Sequence, residues 1–209
     1  YLEDCLATGL TFSAIASGYL SSTRQLDYVR RFAESFPDAT VIVDPVMGDY
    51  GKLYPSFLKE VAEGLKSLLP IADYLTPNLT EACVLANRPY DPFMPASEIE
   101  RLVESILTPR TKGIVISGVP RDGRLVNYVY SPSVGISEVI TDKIGPDRSG
   151  TGDVFAAVLT GALVNGASLE DAVNKAVNFV SLGVRRAEEM QIPTTDGLPF
   201  EEILSALWS

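Results

Sequence analysis

The residues best suited to chemistry lie in Gly145-Pro-Asp-Arg-Ser-Gly-Thr-Gly-Asp153. Two glycines flank Thr151, an acid follows directly, and residues 154–164 then read as a buried apolar helix. A loop of this kind at a helix start offers unpaired backbone N–H groups and the positive end of the helix dipole to an anion. Asp153 stands where a carboxylate could take a proton from a nucleophile attacking that anion. Two common phosphate loops are excluded. The third glycine of G-x-G-x-x-G would fall at Phe155, and no Gly-Lys-Ser/Thr follows. A plain turn before a helix would use the same glycines, so the loop needs support from elsewhere in the chain.

Two further stretches supply it. Asp44-Pro45-Val-Met-Gly48-Asp49 places two acids at the end of an apolar run, a pattern suited to holding Mg2+ through water and oxygens. A structural β-turn is its simpler reading. Thr76-Pro77-Asn78-Leu-Thr80-Glu81 reads as a helix start, with Asn78 as N-cap and Glu81 three residues on in a variant capping box. Functionally, Glu81 adds another acid. Asn78-Leu-Thr80 also matches a glycosylation sequon, which is expected to be a coincidence in a chain that shows no secretory signal.

Composition limits the alternatives. The 209 residues suit one domain with a sizeable core. A net charge of −10 argues against nucleic-acid binding. Cys5 and Cys83 form no disulfide framework or metal spacing, which fits a reduced, cytoplasmic setting. The absence of histidine rules out His-based triads and leaves proton transfer to carboxylates, Lys, Tyr or Cys. No segment reaches the roughly 18–20 apolar residues needed to span a bilayer. Tyr1-Leu-Glu-Asp-Cys has no initiator Met and no basic signal start, so the chain reads as beginning in mid-domain.

The elements that must position these residues follow from periodicity. Residues 1–9 read as a helix end and 12–18 as a strand. Ser21, Ser22 or Thr23 can cap a helix carrying Leu26, Val29, Phe32 and Phe36. Strands are expected at 39–43, 72–76 and 113–117. They end in Asp44-Pro, Thr76-Pro-Asn and Ser117-Gly. Residues 46–54 read as a loop, Pro55 as a helix opening, and Ser97 as the cap of a helix after a Pro-rich connection. The segments 124–130 and 135–141 alternate like a hairpin or meander. Helices follow at 154–164, from Leu169 through Val180, and near 200–208. Strands alternating with helices imply an α/β fold with a mainly parallel sheet, whose ligands gather at the carboxyl ends of its strands.

Taken together, Asp44-Pro-Val-Met-Gly-Asp49 with Gly51-Lys-Leu-Tyr54, Leu75-Thr-Pro-Asn-Leu-Thr-Glu-Ala82 and Ser149-Gly-Thr-Gly-Asp153 resemble the ribokinase-like superfamily. Within it they look like the pyridoxal (vitamin B6) kinase branch. The neighbouring hydroxymethylpyrimidine kinases share the first two elements, but usually carry Cys where this chain has Asp153 and lack the Gly-Asp pair at 48–49. Sugar kinases of the superfamily share the glycine loop but usually lack Asp-Pro-Val-Met.

The resemblance implies a ribokinase-like three-layer fold, with a mainly parallel central sheet flanked by helices. Residues 1–209 would form a single kinase domain that is incomplete at its N-terminus, lacking at least one βα unit of roughly 30 residues. It implies ATP and Mg2+ as cofactors, with a monovalent cation such as K+ as a further one, a B6 vitamer as substrate, and a homodimer. Asp153 would be the general base. The N–H groups of Gly150, Thr151 and Gly152 would cradle the phosphoryl charge, and Asp44 and Glu81 would hold Mg2+ largely through water. Asp49, Tyr54, Thr76, Asn78, Ser117 and Thr151 align with nucleotide-contacting positions, and Tyr19 with a ring lining the vitamin pocket. Lys143 and Arg148 are candidate phosphate cations, or else ordinary surface charges. The alternatives are a hydroxymethylpyrimidine kinase and a nucleotide-binding scaffold without turnover.

Overall fold

A computed structural model describes residues 1–56 and 58–208. The chain forms two compact units, Tyr1–Val119 with Asn127–Glu138, and Pro120–Val126 with Val139–Ser209.

In the first unit the elements run α1 (Leu2–Ala7), β1 (Ala14–Ser17), α2 (Thr23–Ser35), β2 (Thr40–Val43), β3 (Gly48–Asp49), β4 (Lys52–Leu53), α3 (Lys59–Leu65), β5 (Tyr74–Leu75), α4 (Leu79–Leu85) and α5 (Ala96–Ile106). Strand β6 (Gly113–Arg121) follows, then β7 (Arg124–Ser131) and β8 (Gly135–Asp142), of which residues 120–126 and 139–142 belong to the second unit. The main sheet has the order β1-β2-β5-β6-β7-β8. β1, β2, β5 and β6 are paired in parallel. Asp122 and Gly123 join β6 to β7 with φ of 47° and 78°. Two positive φ values in a two-residue connection make a type I′ hairpin turn, so β7 returns antiparallel. This is the expected α/β fold, a mainly parallel sheet flanked by helices.

The apolar runs explain the core of this unit. Val41, Ile42, Val43, Leu75, Ile114, Val115 and Ile116 are all buried, as strands of a covered parallel sheet must be. Ser22 caps α2 through a capping box with Gln25. Phe12, Phe32 and Phe36 form an aromatic cluster, the Phe12 and Phe36 rings meeting edge to face at 4.8 Å.

Asp73, just before β5, is buried and ties the starts of three strands together. Its Oδ2 accepts from the Val41 N–H at 2.8 Å, and its carbonyl accepts from Lys112 N–H and Gly113 N–H. Arg110 and Lys112 pair with its carboxylate at 3.0 and 3.1 Å. Burial alone would raise its pKa, but the Val41 N–H and the two cations hold it below the ordinary carboxylate range.

The second unit is built on α6 (Thr151–Val164) packed against α7 (Leu169–Glu189). Ser168 caps α7 by accepting from Asp171 N–H. Ala172, Val173, Ala176, Val177 and Phe179 form its buried stripe.

Several expected boundaries move. Residues 48–53, read as loop, form the β3–β4 hairpin, whose turn residues Tyr50 and Gly51 have φ of 50° and 76°. Pro55 does not open a helix. The chain turns at Pro55-Ser56, Leu58 is extended with ψ 131°, and α3 starts at Lys59; residue 57, inside the expected helix, lies outside the described residues. Pro95 rather than Ser97 is the N-cap of α5, its carbonyl accepting from Glu98 N–H and Ile99 N–H. α6 begins three residues earlier than its apolar run. The C-terminal helix is 3₁₀ over Phe200–Leu207, with tighter bonds such as Glu202 N–H to Pro199 O. No helix of the described residues is long and apolar enough to cross a membrane.

Candidate phosphoryl-transfer site

In the first unit the parallel register sets the functional residues at one edge. Ser17 lies level with Val43, Val43 with Leu75, and Asn78 bridges to Ser117. Asp44 N–H continues the ladder to Ser17 O, and Thr76 N–H to Val43 O. Asp44, Thr76 and Asn78 therefore emerge together at the carboxyl edge beside Ser117, although β6 runs on to Arg121 and does not end at 117 as expected. Ser17 Oγ and Thr76 Oγ1 are buried there without a hydrogen-bond partner. Orphaned buried hydroxyls are rare, and two at one edge suit a site that takes a polar ligand or water.

Glu81 joins the pieces. Its Oε2 accepts from Asn78 N–H at 2.8 Å, while Asn78 Oδ1 accepts from Glu81 N–H at 3.0 Å. The capping-box reading is thus correct, and such a cap contributes about 1 kcal/mol. The same carboxylate reaches back to the Asp44 loop, where Oε1 accepts from Met47 N–H at 3.1 Å. Asn78 Nδ2 donates to Gly48 O, and Gly51 N–H donates to Thr80 Oγ1 at 2.9 Å. The β3–β4 hairpin is therefore fastened to the start of α4. Thr80 and Met47 take part in this fastening and had no distinguishing signal in the sequence.

Glu81 is 3% exposed, and its pKa is pushed up to about 8. Burial is the main cause and the Asp44 charge the second; the N–H groups of Asn78, Met47 and Gly48 pull the other way. A divalent cation would relieve both raising effects. Among the described residues no cluster of three or more acids, Cys or His could hold a metal. The donor set fits Mg2+ in its usual manner, with one or two carboxylates completed by water and substrate phosphates.

A group whose folded pKa lies above its ordinary 4.5 stabilises the fold most below that value, and loses this contribution as pH rises towards about 8. In Mg2+-free buffer, the melting temperature of Glu81→Gln minus that of wild type should therefore increase between pH 5 and pH 9. A rise of at least 2–4 °C, equivalent to roughly 1 kcal/mol at this chain length, is expected by calorimetry. A flat difference would remove the raised pKa.

The remaining first-unit candidates are more open. Asp49 is exposed on β3, and its Oδ1 accepts from Tyr50 N–H. Tyr54 is 39% exposed, with its N–H bonded to Met47 O. Tyr19 follows β1, is 44% exposed, and shares a 3.3 Å hydroxyl contact with Ser56.

In the second unit, Gly150 is the N-cap of α6 at φ 77°, a conformation that favours glycine. Val154 N–H is the first to bond back, to Gly150 O. The N–H groups of Thr151, Gly152 and Asp153 therefore lack intrahelical partners, which leaves the first turn able to take an anion. A Cβ at Gly152 would meet nothing within 4 Å, so a ligand can approach its backbone closely. Asp153 is exposed in this same turn. Thr151 Oγ1 is engaged within the loop, donating to Arg148 O at 3.1 Å.

Arg148 is not an ordinary surface charge, and its terminal nitrogens are taken up by the protein itself. Its side chain is 1% exposed and bound to Glu188 at 2.8 Å, with two further bonds to backbone carbonyls. Lys143 pairs with Asp147 at 2.9 Å.

A mainly parallel α/β sheet with acids at its carboxyl edge, and a glycine loop opening a helix that bears an acid, is the ribokinase-like fold. The chain matches the phosphomethylpyrimidine kinase family over residues 3–197 and belongs to it. It is 30% identical over 197 residues to a pyridoxine/pyridoxal/pyridoxamine kinase of Bordetella avium, covering 86% of this chain and 63% of that protein. It is 26% identical over 182 residues to a hydroxymethylpyrimidine/phosphomethylpyrimidine kinase of Staphylococcus aureus strain Mu50, covering 85% of this chain and 64% of that protein. A crystal structure of a candidate phosphomethylpyrimidine kinase of Bacteroides thetaiotaomicron with pyridoxal superimposes with a TM-score of 0.93 at 30% identity. That match covers 100% of this chain and 75% of the other. The chain thus spans somewhat less than two thirds of the curated relatives it matches.

Proposed function

We propose that this protein transfers the γ-phosphoryl group of ATP to the 5′-hydroxymethyl group of pyridoxal, pyridoxine or pyridoxamine. The observation that carries the reading is Asp153, exposed in the first turn of α6 among N–H groups that have no intrahelical partner. The substrate oxygen attacks the γ-phosphorus, ADP leaves, and Asp153 takes the hydroxyl proton. A carboxylate suffices as base because the transition state is loose and most of the barrier reduction comes from placement and charge stabilisation. The Gly150, Thr151 and Gly152 N–H groups, with that of Asp153 in the same turn, hold the developing phosphoryl charge.

Asp44 and Glu81 would hold Mg2+ mainly through water, and a bound ion would supply neutralisation of phosphate charge. Asp49, Tyr54, Thr76, Asn78, Ser117 and Thr151 serve the nucleotide, and Tyr19 packs on the vitamin ring. A homodimer in the cytoplasm belongs to the same proposal.

A second reading, a hydroxymethylpyrimidine kinase, is favoured by the family's own description and by the Staphylococcus relative. Asp153, where that branch usually has Cys, favours the vitamin. Turnover with ATP and pyridoxal should exceed turnover with hydroxymethylpyrimidine at equal concentration. Preference for the pyrimidine would overturn the substrate assignment, and ATP binding without transfer to either would overturn the kinase.

A further inference from the structure

A guanidinium buried to 1% exposure is unfavourable unless its donors are placed well. Arg148 meets that condition with three bonds to one short stretch. One terminal nitrogen donates to Ile192 O at 2.9 Å and Pro193 O at 2.8 Å, and the other to Glu188 Oε1 at 2.8 Å. The backbone beside it is held by the same stretch, since Ser149 N–H donates to Thr194 O at 2.9 Å. On the other side, a Cβ at Gly145 would lie 3.2 Å from the Glu188 carboxyl carbon. Glu188 belongs to the last turn of α7, a helix of 21 residues. The glycine loop is therefore moored along its length to the end of a long helix and the segment that leaves it.

We propose that Arg148 is a positioning residue: it fixes where Gly150 turns and so where the Thr151, Gly152 and Asp153 N–H groups point. This rests on the phosphoryl-transfer reading above. Nε of Arg148 is buried with no partner, an unfavourable feature that filling space alone would not require. A planar fork can serve two carbonyls and a carboxylate at once, and a lysine ammonium cannot do so in the same geometry. Anion holes need their donors held to about 0.5 Å, and Arg148 lies only two residues before Gly150.

The test uses Arg148→Met, Arg148→Lys and Arg148→Ala with two independent readouts. Amide hydrogen exchange in peptides covering 145–153 should be about tenfold faster in Arg148→Met than in wild type, the core of α7 staying unchanged. In the assay with ATP and pyridoxal, kcat should fall by about 100-fold with KM for pyridoxal within twofold, because the donors move while the vitamin contacts do not. Arg148→Lys should lie between, and millimolar guanidinium should restore part of the kcat of Arg148→Ala without affecting wild type. Unchanged exchange in the loop would overturn the mooring. Loss of kcat in step with global stability, with no rescue by guanidinium, would reduce Arg148 to a structural residue. If Arg148→Met fails to fold, Arg148→Lys decides by the same criteria. A wild type without any transfer would overturn the kinase reading, and the exchange result would still decide the mooring.

Discussion

Asp153→Asn should lower kcat for pyridoxal phosphorylation by about a thousandfold, within the 10²–10⁴ range that a positioned base contributes. The fold should survive. Asp153 is exposed, no packing depends on it, and Asn is nearly the same size. The protein would lose only the attraction of a carboxylate to the helix N-terminus, about 0.3–1 kcal/mol. The melting temperature should therefore drop by no more than about 2–4 °C. KM for ATP should change little, because the first-turn N–H groups remain. Retention of more than a tenth of wild-type kcat would reject Asp153 as the base. A large fall in melting temperature would mean that the side chain supports the loop.

Gly48→Ala should open the β3–β4 hairpin. A Cβ at Gly48 would stand 2.2 Å from Lys52 O, 2.8 Å from Leu53 Cα and 2.9 Å from Lys52 C. All three are backbone atoms, so no rotamer change can make room and the β3–β4 hairpin must open. Its opening would pull Gly48 O from Asn78 Nδ2, and strain the Met47 N–H bond to Glu81 and the Tyr54 N–H bond to Met47 O. Overpacking of this kind costs about 1–3 kcal/mol, readable as a lower midpoint in urea. The Asp44–Glu81 arrangement would be displaced as well, so the concentration of Mg2+ needed for half-maximal turnover should rise several-fold. A wild-type urea midpoint would show that the hairpin is looser than its contacts imply.

Much of the carboxyl edge was legible because buried parallel strands announce themselves. Thr40–Val43 and Gly113–Ile116 are short apolar, β-branched runs, and the polar residue that ends each run must emerge at that edge. Asn78 and Glu81 were legible as a capping box because the two partners lie three residues apart. The hairpin at 48–53 was not legible, since two-residue strands show no alternation. Pro55 suits the first turn of a helix, but here it only makes a turn ahead of an extended Leu58. Arg148 was the least legible. An arginine beside glycines ordinarily faces water, and the carbonyls that bury it come from Ile192 and Pro193, more than forty residues on. The raised pKa of Glu81 was equally hidden, because it depends on burial and on Asp44 being near in space.

The knot at Asp73 has a consequence for the opposite edge of the sheet. Surveyors fix a short baseline and measure from it, and error grows with distance from that mark. Val41, Asp73 and Gly113 are joined at one level, through Asp73 Oδ2, the Asp73 N–H and the Asp73 carbonyl. From that mark to Asp44 and Thr76 is three residues each, about 10 Å at ~3.3 Å per residue, and to Ser117 four, about 13 Å. Three short, stiff spans leaving a common origin have little length over which to bend apart. The relative heights of these residues at the ligand edge are therefore set by a carboxylate that no ligand there need touch.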